Sequence, residues 1–181
     1  MKLICIFGEN LFAIQHTGES KDEFAKMFEL WQDPEYLESF FEKHKVDLSS
    51  PFWGFISIED AIFNTFEYAQ NFEKRLIELS EQSRENQLKG LDEIFNPLNK
   101  TPPLIFDFEK SKAKANWLRI YALKIENNIY VITGGAIKLT RTMEEREHTS
   151  EELKKIEKTR RFLIEEGIVD ANGLIEIIET Q

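Results

Sequence analysis

The segment 117–139 restricts the fold more than any other part of the chain, because it holds two β-type runs on either side of a two-residue turn. The turn residues Asn127 and Asn128 tolerate the positive φ angles of a type I′ turn, which joins the strands of a β-hairpin. This turn predicts a hairpin in which Glu126 lies opposite Ile129.

Both faces of the first predicted strand are mostly apolar. Alternation places Trp117, Arg119, Tyr121, Leu123 and Ile125 on one face and Leu118, Ile120, Ala122 and Lys124 on the other. The same register places Leu123 opposite Ile132. A sheet that is apolar on both faces needs other elements packed against both of them to exclude water. We therefore expect an α+β protein, with a small twisted antiparallel sheet, flanking helices and a helical N-terminal portion.

Two neighbouring glycines end the second predicted strand. Gly134 and Gly135 allow a tight reversal, which predicts a third short strand over 136–139. They lack the spacing of a dinucleotide or P-loop fingerprint, so we interpret them as a turn.

The first part of the chain has the pattern of a hairpin followed by helices. Short β-type runs at 2–7 and 11–16 predict the hairpin. Ser20 is the predicted N-cap of a first helix, and Pro34 suits the first turn of a second helix.

Two capping boxes predict where longer helices begin. Ser57 with Asp60 marks the start of a long helix that runs to about residue 84. Thr149 with Glu152 marks the start of a helix near the C-terminus, and Gly167 suits its end.

Charge is distributed unevenly along the 181 residues. Residues 1–99 contain 9 Lys and Arg against 19 Asp and Glu, whereas residues 100–161 contain 14 against 9. We expect an acidic, mostly helical portion with an N-terminal hairpin over 1–99, and an antiparallel sheet with a C-terminal helix over 100–181. The chain is also short enough for both portions to form a single domain. An edge strand is predicted at 103–108.

The overall composition excludes several classes of protein. A net charge of −10 argues against a general nucleic-acid coat protein. No apolar run approaches the ~18–20 residues of a membrane span, so no membrane association is expected. The single cysteine, Cys5, excludes an intramolecular disulfide framework and favours a cytoplasmic location. The oligomeric state is left open.

The hairpin and the connector after it carry a set of basic and titratable side chains, namely Arg119, Tyr121, Lys138, Arg141, Arg146 and His148. Histidine suits proton transfer near neutral pH, and Arg and Lys stabilise negative charge on a phosphate. A metal-free ribonuclease needs these groups. Lys110, Lys112 and Lys114 precede the hairpin and add positive charge. Alternatively, each of these side chains is an ordinary surface charge.

The carboxylates near His148 raise the alternative of a metal site. Glu145 and His148 have the Glu-x-x-His spacing of di-iron bundles, but the chain has no second such pair. An acidic helix start, which the helix dipole favours, explains the carboxylates more simply. We predict no metal and no cofactor.

The block 117–166 resembles the RelE/HigB-like toxins of bacterial toxin–antitoxin systems. The resemblance rests on the run Tyr130-Val-Ile-Thr-Gly-Gly-Ala-Ile-Lys-Leu-Thr140, on Met143 and Glu144, and on a helix that contains Arg160 and Arg161. It implies a small antiparallel sheet with flanking helices that cleaves mRNA without a metal, usually on the ribosome. It also implies a neutralising antitoxin protein as a partner.

The resemblance implies roles for the basic residues. Arg119, Lys138 and Arg141 would stabilise the phosphate, and His148 or Tyr121 would transfer protons. The side chains expected to bind RNA are Lys110, Lys112, Lys114 and Arg146. The alternative is a non-catalytic protein-interaction module on the same scaffold, which would bind a protein through its Phe-rich helices or a sheet edge.

Overall fold

A computed structural model describes residues 1–85, 90–98 and 108–180. The strands are β1 (Lys2–Phe7), β2 (Leu11–Gln15), β3 (Asn96–Pro97), β4 (Glu109–Ala115), β5 (Leu118–Glu126) and β6 (Ile129–Ile137). The helices are α1 (Glu23–Trp31), α2 (Pro34–Lys43), α3 (Lys45–Leu48), α4 (Ile58–Glu85), α5 (Glu147–Glu165) and α6 (Ala171–Thr180), and a 3₁₀ turn covers Leu91–Glu93.

The strands form one six-stranded sheet in the order β1-β2-β6-β5-β4-β3. The predicted α+β class is confirmed, but the sheet is mixed and not purely antiparallel, because β2 pairs with β6 in parallel with Leu11 beside Tyr130. The chain between β2 and β6, whose described residues include four helices and the strands β3 to β5, is long enough for this parallel pairing. The predicted boundary at residue 99 and most of the predicted strand at 103–108 lie outside the described residues.

Helices cover both faces of the sheet. Successive residues of each strand point to opposite faces, so Ile120 and Ala122 pack with α1, α2 and α4, whereas Tyr121 and Leu123 pack with α5 and α6. Trp117 was expected beside Tyr121, and that expectation is wrong. Trp117 precedes β5 and lies in the core on the side of α4.

The β5–β6 hairpin is confirmed, with Glu126 opposite Ile129. Only Asn128 of the two turn residues has a positive φ, so the turn is not type I′, which needs two. The register shifts between Lys124 and Glu126, and Leu123 therefore lies opposite Val131 and not opposite Ile132 as predicted. A bulge of this kind adds a residue to one strand only.

Gly134 and Gly135 do not form the predicted reversal, because β6 continues through them to Ile137. They serve close packing instead. A Cβ on Gly134 would lie 2.0 Å from Oε2 of Glu152, and a Cβ on Gly135 would lie 2.7 Å from Sδ of Met27. Each glycine therefore makes room for a side chain on a different helix, which explains the pair without a turn.

The helix signals were partly right. Pro34 begins α2 as predicted, and Ser57 caps α4 as predicted, because its Oγ accepts from the backbone N–H of Asp60 at 3.1 Å. The Asp60 carboxylate accepts from the Ser57 hydroxyl, so only the Ser57 half of the capping box is formed. The N-cap of α1 is Asp22, not Ser20, and its carboxylate accepts from the N–H of Ala25.

The C-terminal helix starts earlier than predicted. It begins at Glu147, and the Thr149 hydroxyl donates to the carbonyls of Met143 and Arg146 inside the first turn. Gly167 follows the end of this helix with a φ of 72°, as predicted. In the described part of the chain, no helix combines the length and the apolar character that a membrane crossing requires.

Candidate functional site

A cavity of about 620 Å³ lies on the α5 side of the sheet, beside β4, β5 and the connector that follows β6. We call it the basic cavity. Five of its lining residues are cationic: Lys112, Lys114, Arg119, Lys138 and Arg141. The other lining residues are Asn96, Leu98, Tyr121, Thr142, Met143, Glu144 and Leu153. Among the described residues, the wall therefore contains one carboxylate against five cations.

Strand pairing explains why these residues converge. Lys112 and Lys114 are two positions apart on β4, so both side chains point to the same face. In the antiparallel register Lys112 lies beside Tyr121 and Lys114 lies beside Arg119. Lys138 follows the end of β6, where its backbone N–H bonds to the Trp117 carbonyl.

The five cations lack acidic partners. Within the described residues none of them forms an ion pair. Arg119 donates to the carbonyls of Asn116 and Leu118, and Lys138 donates to the carbonyls of Thr140 and Arg141 at 2.6 and 2.5 Å. Burial is the main cause that lowers the pKa of Lys138, and the nearby Arg119 and Lys112 cations add to it, whereas the Glu145 and Glu144 carboxylates oppose it. The cavity thus holds positive charge that carbonyl oxygens compensate only in part, which favours an anion.

Tyr121 adds a hydrogen-bond donor to this wall. The residue is 1% exposed, and its hydroxyl has no hydrogen-bond partner among the described residues. Burial is the main cause that raises the pKa of Tyr121 far above its ordinary value, so the hydroxyl stays protonated. A buried hydroxyl without a partner is costly, and an anion in the cavity would supply the missing acceptor once the side chains that cover the hydroxyl move aside.

His148 is not brought to the basic cavity. Its Nε2 lies 2.8 Å from the carbonyl oxygen of Ile137, and its ring packs edge-on against Phe40 and His44. It lines a separate cavity of about 560 Å³ with Lys43 and His44. Burial lowers the pKa of His148, so the imidazole is neutral at pH 7.

Two predicted RNA-binding residues form ion pairs away from the basic cavity. The Lys110 ammonium bonds to Glu157 on α5. The Arg146 guanidinium bonds to Asp47 through two nitrogens, with Nε 2.7 Å from Oδ2. Neither residue lines the basic cavity, so the structure places both in contacts between elements.

Glu152 is a titratable group that sequence reasoning treated only as a cap. It is 4% exposed, with Oε1 2.8 Å from Nζ of Lys155 and with no partner for Oε2 in the described structure. Burial raises the pKa of Glu152 to about 7. The signal that would have placed Glu152 against the sheet is its spacing, because Ile156 and Thr159 follow it by four and seven residues and so share its face of the helix.

The described residues contain no group of three or more His, Cys, Asp or Glu side chains that could hold a metal ion. Neither a family model nor a curated protein nor a solved structure matches the chain. The resemblance to RelE/HigB-like toxins therefore stays a prediction from the residues.

Proposed function

We propose that the basic cavity binds phosphate groups of RNA and that the chain is a metal-independent RNA-cleaving protein related to the RelE/HigB-like toxins. The observation that supports this most is the set of five cations around one cavity, none of which forms an ion pair with a carboxylate of the described residues. Phosphate binding by Lys and Arg is charge-assisted, and a partly buried site strengthens it.

The proposed roles follow from position. Arg119, Lys138 and Arg141 contact the phosphate and stabilise the charge that builds up on it as the ribose 2′-oxygen bonds to phosphorus, its proton passing to water, and the bond to the 5′-oxygen breaks. Tyr121 donates through its protonated hydroxyl, to a phosphate oxygen or to the departing oxygen. His148 has no part in this proposal, because its imidazole bonds to a backbone carbonyl outside the cavity.

The test uses the whole purified chain and a single-stranded RNA labelled for fluorescence, with EDTA present. We compare the wild type, the double variant Lys138→Ala/Arg141→Ala and the control Lys45→Ala/Lys74→Ala. Both variants lose two positive charges, but the control residues are 64% and 76% exposed on other helices. We expect the cavity variant to bind RNA at least ~10-fold more weakly and to lose cleavage, because each charged hydrogen bond contributes roughly 1.5–3 kcal/mol.

Tyr121→Phe separates cleavage from binding. It keeps the buried ring and removes only the hydroxyl, so slower cleavage with nearly unchanged affinity would support the proton-donor role. Equal affinities of the cavity variant and the control would contradict the proposal. In a bacterial host, growth arrest by the wild type that Lys138→Ala/Arg141→Ala relieves would link the activity to toxicity and, by extension, to an antitoxin partner.

A non-catalytic protein-interaction module is the second candidate, because three aromatic side chains stand in solvent. Phe52, Phe55 and Phe63 are 81%, 72% and 63% exposed. Contiguous exposed apolar patches commonly mark protein-binding surfaces, and Phe52 and Phe55 lie three residues apart in the loop before α4. A wild-type protein that binds no RNA and leaves growth unchanged would favour this candidate.

A further inference from the structure

A second groove adjoins the basic cavity. It has a volume of about 840 Å³, and Leu153 lines both spaces. We call it the α5 groove, because most of its wall is one side of that helix: Ser150, Leu153, Lys154, Glu157, Lys158, Arg161, Phe162 and Glu165. Leu153 is therefore the point where an extended ligand would pass from one space to the other.

Among the described residues, three cationic side chains line the α5 groove against two carboxylates, Glu157 and Glu165. Lys154, Lys158 and Arg161 follow one another at intervals of four and three residues, which places them on the same side of the helix. All three are exposed. Lys154 pairs with Glu151, whereas Lys158 and Arg161 have no ion pair in the described part of the chain. Two cations thus remain for an external anion.

An aromatic side chain lies beside these cations. Phe162 is half-buried and lines the α5 groove next to Arg161. Sites for single-stranded nucleic acid combine a cationic groove with an aromatic ring on which a base stacks. An acidic peptide would use the cations but would gain little from the ring.

The length of the α5 groove suits a ligand longer than one nucleotide. Leu153 and Arg161 are separated by about 12 Å along the helix, at about 1.5 Å per residue. Stacked nucleotides advance roughly 3.4 Å along a strand, so the distance corresponds to several of them. The exposed carboxylate of Glu165 stands beyond Arg161 and disfavours a phosphate there.

We propose that the ligand of the basic cavity is a single RNA strand several nucleotides long, which continues over Leu153 into the α5 groove. Lys158 and Arg161 contact its backbone phosphates there, and Phe162 stacks on a base. This inference rests on the proposed function, because it extends the same bound strand.

The experiment measures affinity against RNA length, with a labelled trinucleotide and a labelled ten-nucleotide single strand. It uses the whole chain as wild type, as Lys158→Ala/Arg161→Ala, as Phe162→Leu and as the control Lys45→Ala/Lys74→Ala. We expect the wild type to bind the longer strand more tightly. Lys158→Ala/Arg161→Ala, which we call the α5 variant, should bind the longer strand about tenfold more weakly and the trinucleotide with almost unchanged affinity. The slope of log affinity against log salt concentration should also become shallower by about 1.4 in this variant. It loses two phosphate contacts, and each contact on a single strand contributes about 0.7 to that slope.

Other outcomes overturn the inference. If the wild type binds both lengths equally, or if the control loses as much as the α5 variant, the strand does not use the α5 groove. If Lys138→Ala/Arg141→Ala abolishes binding while the α5 variant binds like the wild type, this inference fails and the proposed function stands. If the wild type binds neither RNA, both fail. A poly-glutamate peptide that binds more tightly than the ten-nucleotide strand would show that the α5 groove accepts protein. Circular dichroism confirms that each variant is folded.

Discussion

Replacing the buried Glu152 by Gln should change how stability depends on pH. Glu152 lies against Gly134 of β6, and its Oε1 accepts from Lys155, which also bonds to the buried Glu23. Burial is the largest cause that raises the pKa of Glu152 to about 7, and the Glu23 carboxylate adds to it, whereas Lys155 and Lys26 oppose it. Gln keeps the size of the side chain and cannot ionise.

The sign and the magnitude follow from linkage. The folded protein holds the proton up to about pH 7, whereas the unfolded chain loses it near the ordinary value of 4.5. The folded state therefore binds more protons in that window, and the free energy of unfolding falls as the pH rises through it. A pKa that moves from 4.5 to about 7 corresponds to about 3 kcal/mol, at roughly 1.4 kcal/mol per tenfold change in proton affinity.

The assay is urea unfolding of the wild type and Glu152→Gln at half-unit steps from pH 4 to pH 8. We expect the wild type to lose about 3 kcal/mol relative to the variant over this range, with little further change above pH 8. Glu147→Gln, an exposed change at the start of the same helix, is the matched control and should follow the wild type. Parallel curves for the wild type and Glu152→Gln would refute the reasoning, because Glu152 would then titrate like an exposed carboxyl.

Two further predictions concern packing and charge. Gly134→Ala should lower the free energy of unfolding by about 1–3 kcal/mol, because its Cβ would lie 2.0 Å from Oε2 of Glu152; urea unfolding measures this, and an unchanged midpoint would contradict the close approach. Arg146→Ala and Asp47→Ala, alone and combined, should show a coupling of about 0.5–1 kcal/mol in a double-mutant cycle, since the Arg146 side chain is partly exposed. RNA affinity should stay unchanged in Arg146→Ala, and a loss above tenfold would place that side chain at the ligand.

The sequence predicted the elements better than their connections. The turn at Asn127 and Asn128 and the box at Ser57 are local signals, in which a few neighbouring residues decide the backbone. The bulge that shifts Leu123 depends on pairing across two strands, and single-strand alternation does not reveal it. Gly134 gave the wrong prediction for a related reason. The sequence does not distinguish a glycine that leaves room for a carboxylate of a distant helix from a glycine that allows a turn.

The residues of the candidate site were also placed correctly only where the sequence signal is local. Alternation on β5 was enough to group Arg119 with Tyr121, and these two do line one cavity. His148 could not be placed by such reasoning, because its direction depends on where α5 begins. With the helix starting at Glu147, His148 lies in the first turn and meets Phe40, a residue more than 100 positions earlier.

The net charge of −10 was the strongest sequence argument against a nucleic-acid ligand, and the pairing of individual charges weakens it. Asp47 is bonded to Arg146, and Asp92 lies 3.0 Å from the Lys124 ammonium, so carboxylates such as these have much of their field cancelled nearby. The described lining of the basic cavity has five cations and one carboxylate, Glu144, so its local balance is opposite to that of the whole chain. Because salt screens exposed charges beyond about 10 Å, a phosphate in the cavity responds mainly to this local set. The acidic remainder of the surface would then repel RNA elsewhere, which favours binding at the cavity over indiscriminate coating.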